Sequence, residues 1–358
     1  PTPGGYIPEA YYGLYTTSLG GFLPVPVLVL LAALAFCLLL GRLRAFRHLY
    51  AVGGGEQAAR ASGINVTATK IFAFLVSGVF IALAALCVVG NTATGDARSG
   101  QGFTLNSVAA AVIGGIGLTV GIYGANSWWK DGVSGSFRAI DEGWFGKNSY
   151  AGGADKVGHA FFTYTGARLL SRGFEALGND PGRSLRLGAW TSLGVMTGVE
   201  VVDGFSKRFR FSLEDALANA AGAALAVLTE KDPRLDALLD FRLLYRRSDD
   251  ARRVGEEDPI ADYSGQTFLL ALKADGVPRL REVPLLRYLE LQAGYNTRGY
   301  EPNDGVKIDP HRRIYYGVGV NLSRLLSDTV FRGDLKGGKI QRGADTVLEF
   351  LQVPGTAA

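Results

Sequence analysis

The charged residues of this 358-residue chain are so unevenly placed that a single kind of solvent environment is excluded. Residues 1–126 carry nine: Glu9, Arg42, Arg44, Arg47, Glu56, Arg60, Lys70, Asp96 and Arg98. Residues 127–358 carry the other 61, roughly one position in four. One water-soluble domain does not leave 126 residues almost bare of charge, and a simple membrane channel does not tolerate the charge density of the remainder. The net charge of +4 is nearly balanced and no long basic run occurs, which argues against a nucleic-acid partner. Cys37 and Cys87 both lie in apolar runs, so neither a disulfide framework nor a cysteine zinc site is expected. The chain begins with Pro rather than Met and reads as a fragment or a processed product.

Three uncharged runs organise the first part. Phe22 to Leu40 is 19 residues long and is followed at once by Arg42, Arg44, Arg47 and His48. At a rise of 1.5 Å it spans about 28 Å, close to a bilayer's hydrocarbon core. Ile71 to Val89 is a second such run, and Ser99 to Trp129 a third, rich in Gly and Ala. Basic residues between the first two put that loop in the cytoplasm, so the second helix leads outward. The third run either spans the bilayer or dips in and returns. Leu34-Ala35-Phe36-Cys37 makes a poor lipoprotein cleavage box, since Phe precedes the Cys.

After Lys130 the pattern changes. Residues 155–178, 184–205 and 212–230 read as three helices, and 231–265 as polar loops with a short helix. Residues 288–296 and 314–322 alternate with period two, which predicts strands, and Asn303-Asp304-Gly305 predicts the turn between them.

Two resemblances add to this reading. The runs AVGGGEQAARASGINVTATKIFAFLVSGVFIALAAL (51–86) and GDARSGQGFTLNSVAAAVIGGIGL (95–118) resemble the permease subunit of ribose-type monosaccharide ABC importers, over residues 1–118. The resemblance implies an all-helical membrane protein that pairs with a second copy and binds a cytoplasmic ATPase subunit. It implies that Glu56 and Arg60 lie in the ATPase-docking loop. Gly55 stands where that family usually has Asn, and the similarity stops before the permease's last helices, so the chain alone is not expected to form a sugar path. No GxxxxGK[ST] loop occurs, so any ATPase is another chain.

The segments EGWFG (142–146), GGADKVGHAFFTY (152–164), VEVVDGFSKRFRFSLEDALANAAGA (199–223), DFRLLY (240–245), DYSGQTFLLALK (262–273) and LRYLELQAGYNTRGY (286–300) resemble the YfiM-like family of predicted bacterial periplasmic or envelope lipoproteins, over residues 123–326. Their core, a D-K-x-x-H start, an acidic helix end and an S-x-x-D-x-x-x-N-x-x-G helix, also resembles the VanZ-like membrane proteins.

The residues of that core have their own logic. Asp155 and His159 are four apart and share a helix face, with Lys156 beside them. Glu200 and Asp203 are three apart at the end of the next helix. Ser212 and Asp215 have capping-box spacing, and Asp215, Asn219 and Gly222 form one stripe, with Gly222 admitting a neighbouring backbone. Two functional readings follow. His159, Glu200 and Asp203, with Asp155 and Asp215 in reach, suit a divalent cation. Alternatively His159 is a general acid or base oriented by Asp155 or Glu200, acting on a lipid-linked or phosphate-bearing envelope substrate. The purely structural alternative is a polar network of Lys156, Asp203, Ser212, Asp215 and Asn219 that holds three helices together. No other cofactor is implied.

The expected protein is mainly α-helical and membrane-associated, with two to three transmembrane helices followed by a helical bundle and a small C-terminal antiparallel β element. Its expected divisions are 1–120 (permease segment), 121–232 (helical domain), 233–285 (polar loop and helix) and 286–358 (β-hairpin and tail). The expected location is the bacterial inner membrane, with the C-terminal domain facing the periplasm. The permease reading leaves residue 91 outside, so a fully spanning 104–126 would place residue 130 in the cytoplasm. That conflict, and the two resemblances meeting between 118 and 123, suggest a fusion of gene fragments or an assembly error.

Overall fold

The computed structural model describes residues 7–21, 23–96, 103–300, 307–332 and 336–356. Its backbone contacts divide the chain into two units, Pro1–Thr104 and Leu105–Ala358.

The first unit contains helices α1 (Glu9–Thr16), α2 (Val25–Gly41), α3 (Arg44–Gly54), α4 (Glu56–Ala61) and α5 (Val66–Thr92), with a two-residue hairpin of β1 (Ser18–Leu19) and β2 (Leu23–Pro24). Pro26 sits in the first turn of α2, where a missing N–H breaks no intrahelical bond. The 17 residues of α2 reach only about 26 Å, and the chain then bends by 78° into α3. Helix α5 has 27 residues, about 40 Å, and starts five residues before the expected Ile71. The Asn65 side chain accepts a hydrogen bond from Ala68 N at 2.9 Å and so fixes the earlier start, carrying Lys70 inside the helix.

Among the described residues, α5 is the one helix long and apolar enough to cross a membrane, and the bent α2–α3 pair adds a second if it counts as one span. Of the expected two to three spans, the described residues show one or two candidates. The third uncharged run forms α6 (Phe103–Asn126), 24 residues without a charge. Within the first unit α1 lies on α5, where a side chain at Gly90 would collide with the Tyr15 ring and where Tyr11 Oη donates to Leu86 O at 2.7 Å. Few side chains are buried; Phe74 and Leu38 stand 77% and 66% exposed, as on helices meant for an apolar solvent.

The second unit is built on α7 (Ala154–Ala176), α8 (Pro181–Phe205) and α9 (Leu213–Lys231). Short turns join them, so successive helices are antiparallel. Asp180 caps α8 by accepting from Arg183 N at 2.9 Å, and Ser212 caps α9 by accepting from Asp215 N at 3.2 Å. The helices approach closely because glycines face backbone: a Cβ at Gly222 would lie 2.1 Å from Ala160 O, and one at Gly188 2.5 Å from Ala167 O. A parallel two-residue pairing of β3 (Ala139–Ile140) with β4 (Phe211–Ser212) ties the segment before α7 to the start of α9.

Beside the helices lies one antiparallel sheet in the order β5 (Leu239–Tyr245), β6 (Gln266–Lys273), β7 (Leu289–Tyr300) and β8 (Lys307–Val320). Phe241 on β5 and Phe268 on β6 meet Phe161 and Tyr164 of α7, with Phe350 from the C-terminal helix Lys339–Phe350 closing the core. The two expected strands correspond to β7 and β8, while their expected turn at Asn303-Asp304-Gly305 lies outside the described residues. Strands β5 and β6 fall in 233–285, where loops and a helix were expected. The reason is electrostatic. Arg242 of β5 is buried against Asp240 at 2.5 Å and Glu290 at 2.7 Å, so charges that read as loop are satisfied inside the fold.

Candidate functional site

Helix α7 begins with a sharp turn that aims its first side chains inward. Gly152 and Gly153 have φ of +65° and +92°, and a Cβ on Gly153 would meet Trp144 O at 2.6 Å and the Phe145 ring at 2.5 Å. Glycines there allow the chain to enter α7 so that Asp155, Lys156 and His159 face α8 and α9.

Lys156 is 1% exposed and anchors one side of the site. Its Nζ lies 2.5 Å from Glu142 Oε2, 3.2 Å from Asp215 Oδ1 and 3.8 Å from Asp155 Oδ2. His159 anchors the other. Its Nδ1 is 3.1 Å from Asn219 Oδ1, which also accepts from Thr163 Oγ1 at 2.9 Å. An amide oxygen accepts only, so Nδ1 carries the proton and Nε2 faces the acids. Nε2 lies 3.2 Å from Glu200 Oε1 and 3.8 Å from Asp155 Oδ1. Asp155, His159 and Asp215 each offer a ligand atom, and these atoms lie within 4.8 Å of one another.

Supporting groups come from loops. Tyr263 Oη donates to Asp155 Oδ1 at 2.5 Å, and the Tyr263 ring packs edge-on against Tyr150, with centroids 5.9 Å apart. Burial and the neighbouring Asp155 push both phenols well above their ordinary pKa. Burial lifts the Glu142 carboxyl to about 7, even though Lys156 pulls it down. Ser212 N donates to Glu200 Oε2 at 3.4 Å, while Ser212 Oγ donates to Glu214 Oε2 at 3.2 Å. Asp203 is engaged elsewhere, accepting from Trp129 Nε1 at 2.5 Å.

These groups line a cavity of about 260 Å³, with Glu142, Asp155, Glu200, Asp203 and Asp215 on its wall against His159 and Arg210. Lys156 is the further cation. Acid is in excess, five carboxylates against three basic side chains; the buried cluster at the other end of the bundle is held instead by guanidinium–carboxylate pairs. There Arg168 meets Glu230 at 2.8 Å, Glu349 at 3.0 Å and Asp236, with Arg172 on Glu349 at 2.7 Å.

The fold thus brings Asp155, Lys156, His159, Glu200, Asp215 and Asn219 to one point. Asp203 lines the same cavity with an oxygen committed to Trp129, and Ser212 caps α9. Glu142, Tyr150, Tyr263 and Trp129 are neighbours of this cluster that periodicity could not reveal, because they stand on loops. The segments EGWFG and DYSGQ that contain Glu142 and Tyr263 were the available signal. In the first unit, Glu56 pairs with Lys70 at 2.5 Å on the surface, and Arg60 is exposed on the same short helix, α4.

Comparison with known proteins places each part. Residues 4–125 match the family described as branched-chain amino acid transport system / permease component, and residues 141–231 match the family described as predicted periplasmic lipoprotein (DUF2279). The xylose transport system permease protein XylH of Haemophilus influenzae is 43% identical over 101 residues, 28% of this chain and 27% of that protein. The L-arabinose transport system permease protein AraH of Escherichia coli is 35% identical over 115 residues, 32% of this chain and 35% of that protein. The ribose import permease protein RbsC of Bacillus subtilis is 34% identical over 113 residues, 31% and 35% respectively. The chain spans about a quarter to a third of the length of the curated relatives it matches. No solved structure matches it. The chain therefore joins a segment similar to part of sugar permeases to a domain similar to predicted periplasmic lipoproteins. The permease-like match runs past Thr104 into α6, whose Tyr123 Oη donates to Asp258 Oδ2 at 2.5 Å inside the second unit.

Proposed function

We propose that the second unit is an envelope domain that holds a divalent cation between α7 and α9. The observation that carries this reading is the approach of Asp155, His159 and Asp215 to within 4.8 Å on the wall of an acid-rich cavity. One imidazole nitrogen and two carboxylate oxygens form a ligand set of mixed hardness that suits several divalent metals. Asn219 holds Nδ1, leaving Nε2 to ligate, and the cation would offset the excess of acid that Lys156 and Arg210 leave uncompensated. Such an ion supplies Lewis-acid chemistry when bound. Glu200, 3.2 Å from His159 Nε2, is then placed to accept or return a proton on a lipid-linked or phosphate-bearing substrate.

The test is manganese binding to the purified full chain, followed by electron paramagnetic resonance. One ion per chain is expected, with affinity lowered about 100-fold or more by His159→Ala or Asp215→Asn. Undiminished binding by both variants, or no binding by the wild type at millimolar manganese, overturns the reading in favour of a structural network.

The first unit supports a separate reading. Its permease-like sequence, with exposed Glu56 and Arg60 on α4, fits a membrane segment that docks a separate ATPase subunit and pairs with a second permease copy. We infer that this segment works only together with the rest of a permease bundle; the alternative is a working subunit for monosaccharide import. Co-purification of an ATPase subunit, lost on Glu56→Ala or Arg60→Ala, is the expected result. Absence of any ATPase from the wild-type preparation counts against this reading.

A further inference from the structure

Helix α9 has its polarity reversed relative to a helix on a soluble protein. Its exposed positions before the terminal Lys231 are Leu213, Leu217, Ala220, Ala221, Ala224 and Leu228, all apolar. Its buried positions include Glu214, Asp215, Asn219 and Thr229. Helix α8 repeats the inversion beyond its first turns, exposing Trp190, Val201, Val202 and Phe205 while burying Thr191, Ser192 and Glu200. In water a helix buries its apolar stripe and presents the polar one. Trp190 is 71% exposed and Leu213 59%, among the highest values for large apolar groups in the unit.

The two exposed stripes have the dimensions and borders of a bilayer-facing belt. Leu213 to Leu228 and Trp190 to Phe205 each cover 15 helical steps, about 22 Å. Arg186 and Lys231 stand at one end, Lys207 and Arg210 at the other. The latter end also carries Tyr123, Trp128 and Trp129, stacked edge-on with Trp129 hydrogen-bonded to Asp203, the Trp and Tyr composition of a membrane–water boundary. Basic groups at both borders complement anionic lipid headgroups. Helix α6, uncharged from Phe103 to Asn126, continues the apolar surface. With α8 it walls a groove of about 1080 Å³, lined by Ile113, Gly117 and Val120 on one side and Trp190, Val195 and Val199 on the other, with Arg186 among the lining groups.

We infer that lipid acyl chains cover the outer faces of α8 and α9, so that the second unit sits directly in an anionic bilayer with its acid-rich cavity level with one headgroup layer. A bilayer rather than a protein partner is indicated because basic borders and an aromatic edge accompany the apolar stripes. The inference does not depend on the cation reading, and it goes beyond a lipid tether by giving the domain its own bilayer contacts.

Membrane binding of the chain is no test, since α5 suffices for that. The test is depth. In the full chain with Cys37→Ser and Cys87→Ser, single cysteines are introduced by Leu217→Cys, Ala224→Cys and Trp190→Cys within the belt, and by Arg186→Cys and Arg210→Cys at its borders. Each is labelled with a bimane fluorophore in vesicles of phosphatidylethanolamine and phosphatidylglycerol carrying brominated acyl chains. Belt positions are expected to lose at least about half their fluorescence and, in parallel unlabelled samples, to resist a membrane-impermeant maleimide, while border positions stay bright when labelled and react when unlabelled. Belt cysteines that react like the border ones and are not quenched overturn the inference. So do belt cysteines that are unquenched and unreactive but cross-link between chains, which would make these faces a self-association surface.

Discussion

Helices α5 and α9 both turn apolar side chains outward, and they differ in what they turn inward. Helix α5 holds Lys70 as its single charged residue over 27 positions and buries little. Helix α9 sets Asp215 and Asn219 against α7 and Glu214 against the Gly143 loop in only 19 positions. Average hydropathy registers the first kind and overlooks the second, because it sums over both faces. A helix whose polar side is satisfied by neighbours can meet an apolar solvent as well as one with no polar side at all.

The sharpest way to break this comparison is to remove a buried partner. Lys156→Ala leaves Glu142, Asp155 and Asp215 crowded around a vacated cation site, and is expected to cost the second unit about 3–5 kcal/mol in thermal or denaturant unfolding. Glu56→Gln in the first unit, which deletes an exposed ion pair with Lys70, should leave unfolding unchanged. Equal responses would mean that the buried network is not what holds α7 to α9. A smaller effect is expected from helix contacts. Gly222→Ala sets a Cβ against Ala160 O and should destabilise by about 1–3 kcal/mol. Gly78→Ala on α5, with open space around it, should be neutral or stabilising by up to about 1 kcal/mol. A neutral Gly222→Ala would show that α7 and α9 are not closely apposed in solution.

Much of the fold was legible. The expected helices at 155–178, 184–205 and 212–230 lie within a few residues of α7, α8 and α9, because caps at Asp180 and Ser212 and continuous small-aliphatic composition bound them. Strands β7 and β8 announced themselves by alternation. Strand β5 alternates as well, Leu239, Phe241, Leu243 and Tyr245 against Asp240 and Arg242, but its charges in a polar stretch read as loop; they are buried because Asp240 pairs with Arg242 and Lys273, and Arg242 with Glu290. The early start of α5 depended on a cap at Asn65 whose partner lies three residues on.

For the candidate site, helical spacing put Asp155 beside His159 and Asp215 beside Asn219. It could not say that the two stripes face each other, nor that Asp203 turns to Trp129, nor that Tyr263 and Glu142 arrive from distant loops. Sequence alone determined which segments are uncharged throughout, which helices carry ionisable groups, and which families the two parts resemble, since these depend on residue type and local period. Tertiary structure decided which faces of α8 and α9 are buried and which acids share a cavity with His159. Those outcomes depend on pairings between residues far apart in the chain, and only the packed fold supplies the partners that offset the cost of burying a charge.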